Sequence, residues 1–225
     1  MRPAALPALL AALAVAGCDA LRPFEAVCEK RLPPTQVEVL AAPVGYTTDL
    51  SLPAAELSGK GAHTFGRTLM GLTLAELKST VEYGGSGIAD RRGQRVCMRP
   101  AVKVRLSFSP MTVYVAREHP PGSCAYRVTL EHELKHVSVY EQYLAGIAHD
   151  IEAALRQELG ARVLYFRSEA EGDAHVRKVL EERIGPYVED TMLRVVALQR
   201  QVDSPEEYAR LDRAQAECEA AAGKN

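Results

Sequence analysis

Apolar residues alternate with polar ones through much of the first half of this chain and recur with helical spacing through the second. Val37 and Val39 alternate within Gln36–Ala41, and Val102, Val104, Leu106 and Phe108 alternate strictly, so both stretches predict half-buried strands. After Ser109-Pro110 a further strand is expected over Met111–Ala116, giving a hairpin. Thr73, with Glu76 three residues on, has the form of a capping box and predicts a short helix through Val81. Tyr83–Gly93, with four glycines, reads as a loop or hairpin turn, and Asp49–Gly66 as a loop. From Cys124 the period changes. No proline interrupts Cys124–Leu159, Ser123 is a suitable N-cap, and Gly160 stands where a terminating glycine would.

That long helix carries three stripes. Leu130, Leu134, Val137, Leu144, Ile151 and Leu155 make a core face, and Thr129, His132, His136, Val139, Tyr140, Tyr143 and Ile147 make a second, largely apolar one. Glu131, Lys135, Ser138, Gln142, Ala145, His149, Glu152 and Arg156 form a polar face. A helix with two apolar faces is packed on two sides. Beyond Gly185-Pro186 the chain turns helical again over Tyr187–Gln201, and Ser204-Pro205-Glu206-Glu207 starts a last helix running to about Ala222. The fold class expected is α+β. A small N-terminal antiparallel or mixed sheet packs on a helical C-terminal half built around the long central helix, in a single domain over residues 36–225.

The chemistry is concentrated in His132-Glu133-Leu134-Lys135-His136. Residues four apart on a helix share a face, so two imidazoles so placed can ligate one Zn²⁺. Glu133, beside the first histidine, is placed to take a proton from an attacking water without ligating the metal. The bland reading is two histidines on an ordinary helix. Val139 and Gln142 stand where a metzincin carries Gly and His, which excludes that subclass. A third ligand is expected from a later helix. In Ser168–Asp173, Glu169 falls on the apolar stripe of Tyr165, Gly172, Asp173, Val176 and Leu180, whereas Glu171 falls on a polar one. A carboxylate on an apolar stripe is costly unless it is paired or bound to metal. Gly172 suits a close approach of the two helices.

His132-Glu133-x-x-His136 followed by Glu169-x-x-x-Asp173 resembles the zincin metallopeptidases of the gluzincin group. The resemblance implies His132, His136 and Glu169 as zinc ligands, Glu133 as general base and Asp173 as a partner orienting a ligating histidine. It covers two short segments. Ser168 stands where that group usually has Asn, and the oxyanion stabiliser is unassigned: Tyr140, Tyr143 and Tyr165 are candidates by chemistry but simpler as core tyrosines. His63 and His119 read as loop bystanders. The strand before the motif helix, Met111–Ala116, is the one expected to dock extended substrate.

Arg2, an apolar run to Ala16 and a cysteine directly after Ala16-Gly17 resemble a bacterial lipoprotein signal over residues 1–17, with Cys18 the lipidated residue and 18–35 a tether. Export permits disulfides, and Cys28, Cys97, Cys124 and Cys218 remain as an even set. Cys97 with Cys124 and Cys28 with Cys218 are the pairs favoured. With 27 Lys+Arg against 29 Asp+Glu and no basic stripe, the chain is not expected to bind nucleic acid. The expected function is therefore zinc-dependent hydrolysis of peptide or protein substrates in the bacterial cell envelope, on a chain anchored to the membrane by its lipid. A cell-wall peptide amidase using the same site and a non-catalytic envelope lipoprotein are the rivals.

Overall fold

The computed structural model describes residues 22–43, 45–61, 67–160 and 162–223. The signal segment, Cys18 and His63 lie outside the described residues. The chain is α+β, as its hydrophobic pattern predicts. Its elements run α1 (Phe24–Arg31), β1 (Gln36–Ala41), β2 (Thr47–Asp49), α2 (Ala54–Lys60), β3 (Gly71–Ala89), β4 (Val96–Val115), α3 (Cys124–Leu159), β5 (Leu164–Phe166), α4 (Glu169–Val202) and α5 (Pro205–Ala222).

One strand organises the sheet. β4, 20 residues long, pairs antiparallel with β3 from Gly71↔Val115 to Ala89↔Val96. Its other edge is shared by three short strands: β5 antiparallel at Val96–Met98, β1 parallel at Ala101–Leu106, and β2 parallel at Thr112–Tyr114. The hairpin expected at Ser109-Pro110 is instead a bulge inside this strand. Phe108 faces Leu77 and Met111 faces Ala75, so Ser109 and Pro110 oppose Glu76 alone. The extra residue shifts the buried parity from Val102, Val104, Leu106 and Phe108 to Met111, Val113 and Val115 without leaving the sheet. Proline has no N–H for the ladder and is at home in such a bulge.

The helix expected from Thr73 is also strand. A capping-box spelling weighs little against a ladder running the length of β4. Within Met111–Ala116, proposed above to dock substrate, Thr112–Tyr114 is paired on both sides and has no edge to offer. The loop and tether readings each miss a short helix, α2 and α1 respectively.

The core lies between β4 and the predicted apolar faces of α3. Val137, Leu144, Ile151 and Leu155 are buried with Val104, Leu106 and Phe108, and the Phe108 and Tyr140 rings lie 4.7 Å apart. α4 covers the other side of α3 through Val176, Val179, Leu180, Ile184 and Val195. It passes through Gly185-Pro186 without ending there. The Gly172 contact is with the sheet, not with α3: a Cβ there would stand 2.2 Å from Met98 Sδ. The outer edge of β1 is closed by α3 side chains, since Glu152 Oε2 accepts from Val39 N at 3.2 Å and Arg156 donates to Val37 O at 2.6 Å. Among the described residues β3 pairs with β4 alone, which leaves its outer edge without a strand partner.

The disulfides join Cys28 to Cys97 and Cys124 to Cys218, not the pairs expected. Cys97 lies at the start of β4, whereas Cys124 begins α3, beyond the far end of that strand. At ~3.3 Å per residue the strand runs roughly 60 Å from Cys97 to Val115, more than the short connection to Cys124 can retrace to within the ~7 Å Cα limit of a bridge. The two bridges instead fasten α1 to the start of β4 and α5 to the start of α3. Both suit an oxidising, extracytoplasmic compartment. No helix among the described residues is long and apolar enough to cross a membrane.

Candidate metal centre

His132 and His136 lie in α3 as their spacing requires, 6% and 8% exposed, one turn apart. The carboxylate brought to them comes from Asp203. Its Oδ1 is 3.2 Å from His132 Nε2 and 3.3 Å from His136 Nε2, and the two Nε2 atoms are 3.3 Å apart. Asp203 occupies the corner between α4 and α5, its N–H bonded to Gln199 O at 3.2 Å. Glu169 and Asp173, expected as ligand and orienting partner, are exposed near the start of α4 and do not line the cavity at the histidines. Their place has its own cause. Ser168 caps α4, accepting from Glu171 N, and acids in a first turn are favoured by the helix dipole.

Each imidazole is oriented by its far nitrogen. His136 Nδ1 donates to Gln199 Oε1 at 2.5 Å, and Gln199 Nε2 returns a bond to His136 O at 3.1 Å. His132 Nδ1 donates to Glu207 Oε1 at 3.2 Å, and that carboxylate is also held by Lys135 and Arg210, each at 2.7 Å. With both Nδ1 atoms donating, neutral rings turn Nε2 lone pairs toward each other and toward a carboxylate oxygen. Three electron-rich atoms so close require a positive charge among them. His132, His136 and Asp203 could hold a metal ion.

The electrostatics agree. Burial would lower the His136 imidazole, but Asp203, Glu133 and Gln199 outweigh it and hold its pKa above the ordinary histidine value. Burial would raise the Asp203 carboxyl, yet its bonds to both histidines hold it well below the usual carboxylate range. Glu207 is held down to about 2 by Arg210 first, then by Lys135 and His132, against the opposing effect of burial.

Glu133 stands beside this triangle, 3% exposed, and accepts from the Thr73 hydroxyl at 2.8 Å. Burial raises its pKa, offset in part by the histidines and Thr73. Gly71 is what lets β3 pass this carboxyl: a Cβ there would lie 2.4 Å from Glu133 Oε1 and 2.7 Å from Thr129 Cγ2. His119 donates to or accepts from Thr129 Oγ1 at 2.9 Å, one shell away from the triangle.

A cavity of about 360 Å³ lies over the triangle. β3 and the preceding Met70 line one side, with Leu72 and Leu74 around Gly71 and Thr73, and α5 lines another with Tyr208 and Leu211. Burial, with Asp203 adding to it, pushes the Tyr208 phenol up to about 12, so it stays a hydrogen-bond donor. Of the tyrosines considered from sequence, Tyr140 packs in the core and lines the cavity floor, whereas Tyr143 and Tyr165 do not reach it.

Sequence reasoning missed Asp203, Gln199, Glu207, Thr73 and Tyr208. Asp203 has no spacing signal, since it follows His136 across the whole of α4. Comparison with family models, curated proteins and solved structures found no match, so the site is read from its own geometry.

Proposed function

We propose that this chain is a zinc-dependent peptide-bond hydrolase whose metal is held by His132, His136 and Asp203. One observation carries the reading: the three donor atoms form a nearly equilateral triangle with edges of 3.2, 3.3 and 3.3 Å. Zinc with four bonds of ~2.0–2.1 Å at tetrahedral angles places its donors ~3.3–3.4 Å apart, so the triangle has the dimensions of one face of that tetrahedron. The fourth corner then belongs to water or substrate. Two imidazoles and one carboxylate with an open position are the donor set of catalytic rather than structural zinc sites.

Zinc bound there supplies a Lewis acid that polarises the substrate carbonyl and stabilises negative charge on its oxygen. The rest is done by side chains. Glu133 takes a proton from the attacking water and can pass that proton to the leaving amine. Thr73 aims the carboxylate by donating to one of its oxygens and leaves the other for water. Extended substrate adds to the outer edge of β3 at Gly71–Leu74, the unpaired edge that lines the cavity. The apolar walls favour a substrate with a bulky apolar side chain near the scissile bond. The two disulfides and the lipoprotein-like signal support a site of action in the cell envelope, on a chain anchored through Cys18.

The test is metal content and turnover together. Purified protein should carry close to one equivalent of zinc, lost with chelator. Glu133→Gln should keep the zinc and lose at least about a hundredfold in rate, in line with ~10²–10⁴ for a general base. Protein that binds no zinc, or Glu133→Gln with unchanged turnover, would end this reading.

A further inference from the structure

We infer that Tyr208 is a catalytic residue, its hydroxyl donating to the oxygen of the scissile carbonyl as negative charge develops there. This rests on the zinc-hydrolase reading and adds to it a residue from α5. Charge building on that oxygen is best met by a donor already in place, because a preorganised dipole needs no rearrangement as the barrier is crossed. Several other polar side chains of the cavity are engaged: the Thr73 hydroxyl with Glu133, the Gln199 amide with the His136 carbonyl, and Gln215 with Thr129. Arg67 is paired with Asp212 at the cavity mouth.

Tyr208 is built differently. It lines the cavity together with Asp203, and it lies near enough for that carboxylate to act on its phenol. Two groups contact its ring. The His132 ring lies 6.2 Å away at 39°, and the Arg67 guanidinium stacks 5.1 Å from the ring centroid. Those contacts hold the ring against the cavity. Glu133 enters the same cavity from α3, whereas Tyr208 enters from α5, so base and donor can address one carbonyl from two different elements. When Asp203 turns its charge to a bound cation, the Tyr208 hydroxyl is left with the developing oxyanion as its strongest acceptor nearby.

The experiment uses the full-length, zinc-loaded protein and Tyr208→Phe, which keeps the ring and both stacking contacts. Three quantities are read: zinc content, kcat and KM on internally quenched peptides bearing an apolar residue at the scissile bond, and calorimetric affinity for a phosphinic peptide and for its cleaved product peptides. The variant should keep one equivalent of zinc and its KM within about twofold, and lose about 10²–10³ in kcat. Phosphinate affinity should fall by a similar factor while product affinity holds, because only the phosphinate mimics the tetrahedral state. Unchanged kcat and phosphinate affinity would overturn the assignment and leave the zinc reading intact. So would equal losses for phosphinate and product, or a variant that no longer melts cooperatively, since either makes Tyr208 a structural residue. Wild type without zinc or turnover would remove both.

Discussion

Asp203→Ala beside Glu169→Ala decides between the carboxylate that the structure brings to the histidines and the one that the motif spelling suggests. A zinc site with a full set of four protein ligands contributes about 10–16 kcal/mol. One ligand in such a set is therefore worth roughly 3 kcal/mol, about a hundredfold in Kd at 1.4 kcal/mol per decade. Asp203 sits within 3.2–3.3 Å of both Nε2 atoms, so its loss should cost that full amount, and His132→Ala should cost as much. Glu169 is exposed in the first turn of α4, and its alanine variant should bind zinc as wild type does, within about threefold. Glu207→Gln should fall between, since removing the partner of a ligating histidine costs about 10–100-fold. Competition against a fluorescent zinc chelator at neutral pH reads all four variants on one scale. Asp203→Ala with wild-type affinity, alongside weak binding by Glu169→Ala, would refute the triangle and restore the motif-derived ligand.

Two further outcomes follow from the same geometry. Gly71→Ala forces a Cβ to 2.4 Å from Glu133 Oε1 and should lower stability by about 1–3 kcal/mol and remove activity while zinc stays bound; Gly87→Ala, whose nearest contact would be 3.6 Å, is the matched control in the same strand. In metal-free protein, Glu207 is lowered from 4.5 to about 2, so the stability it gives is complete above pH 4.5 and lost as pH falls toward 2. Urea midpoints measured from pH 5 to 2.5 should fall less steeply in Glu207→Gln than in wild type, and parallel profiles would contradict that role.

What the sequence made legible follows from how local each signal is. His132, Glu133 and His136 needed only the helical period, and α3 formed with its N-cap at Ser123 as read. The alternation at Val102–Phe108 found the central strand, but a parity change at Ser109-Pro110 looks the same in sequence whether the chain turns back or bulges. Thr73 and Glu76 spell a capping box, yet β-pairing over the whole of β3 is a long-range term that no local pattern contains. The third ligand failed for the same reason. Glu169 and Asp173 satisfy helical spacing as well as any inward pair, but Gly172 packs on Met98, so α4 enters over the sheet and reaches the histidines only at its far end. The cysteine pairing could be judged only once β4 was known to be a single strand.

The arrangement also explains why one corner of chain can define the whole centre. Gln199, Asp203 and Glu207 lie within nine positions, and each contacts His132, His136 or both. The end of α4 supplies the first, the turn supplies the second, and the Ser204-capped start of α5 supplies the third. A single ligand on a turn would be loosely aimed. Here the flanking helix ends also bond the imidazoles that Asp203 meets, so the carboxylate and the groups orienting the rings share one short segment. α5 itself has little core to hold it, with Cys218 its buried residue, and that cysteine is bonded to Cys124 at the start of α3. The bridge fixes α5 at one end of the motif helix while the polar corner fixes it at the histidines. Placement of Asp203 at the histidines and retention of α5 are thus one structural problem, met by a covalent bond at one end and by His132, His136 and their partners at the other.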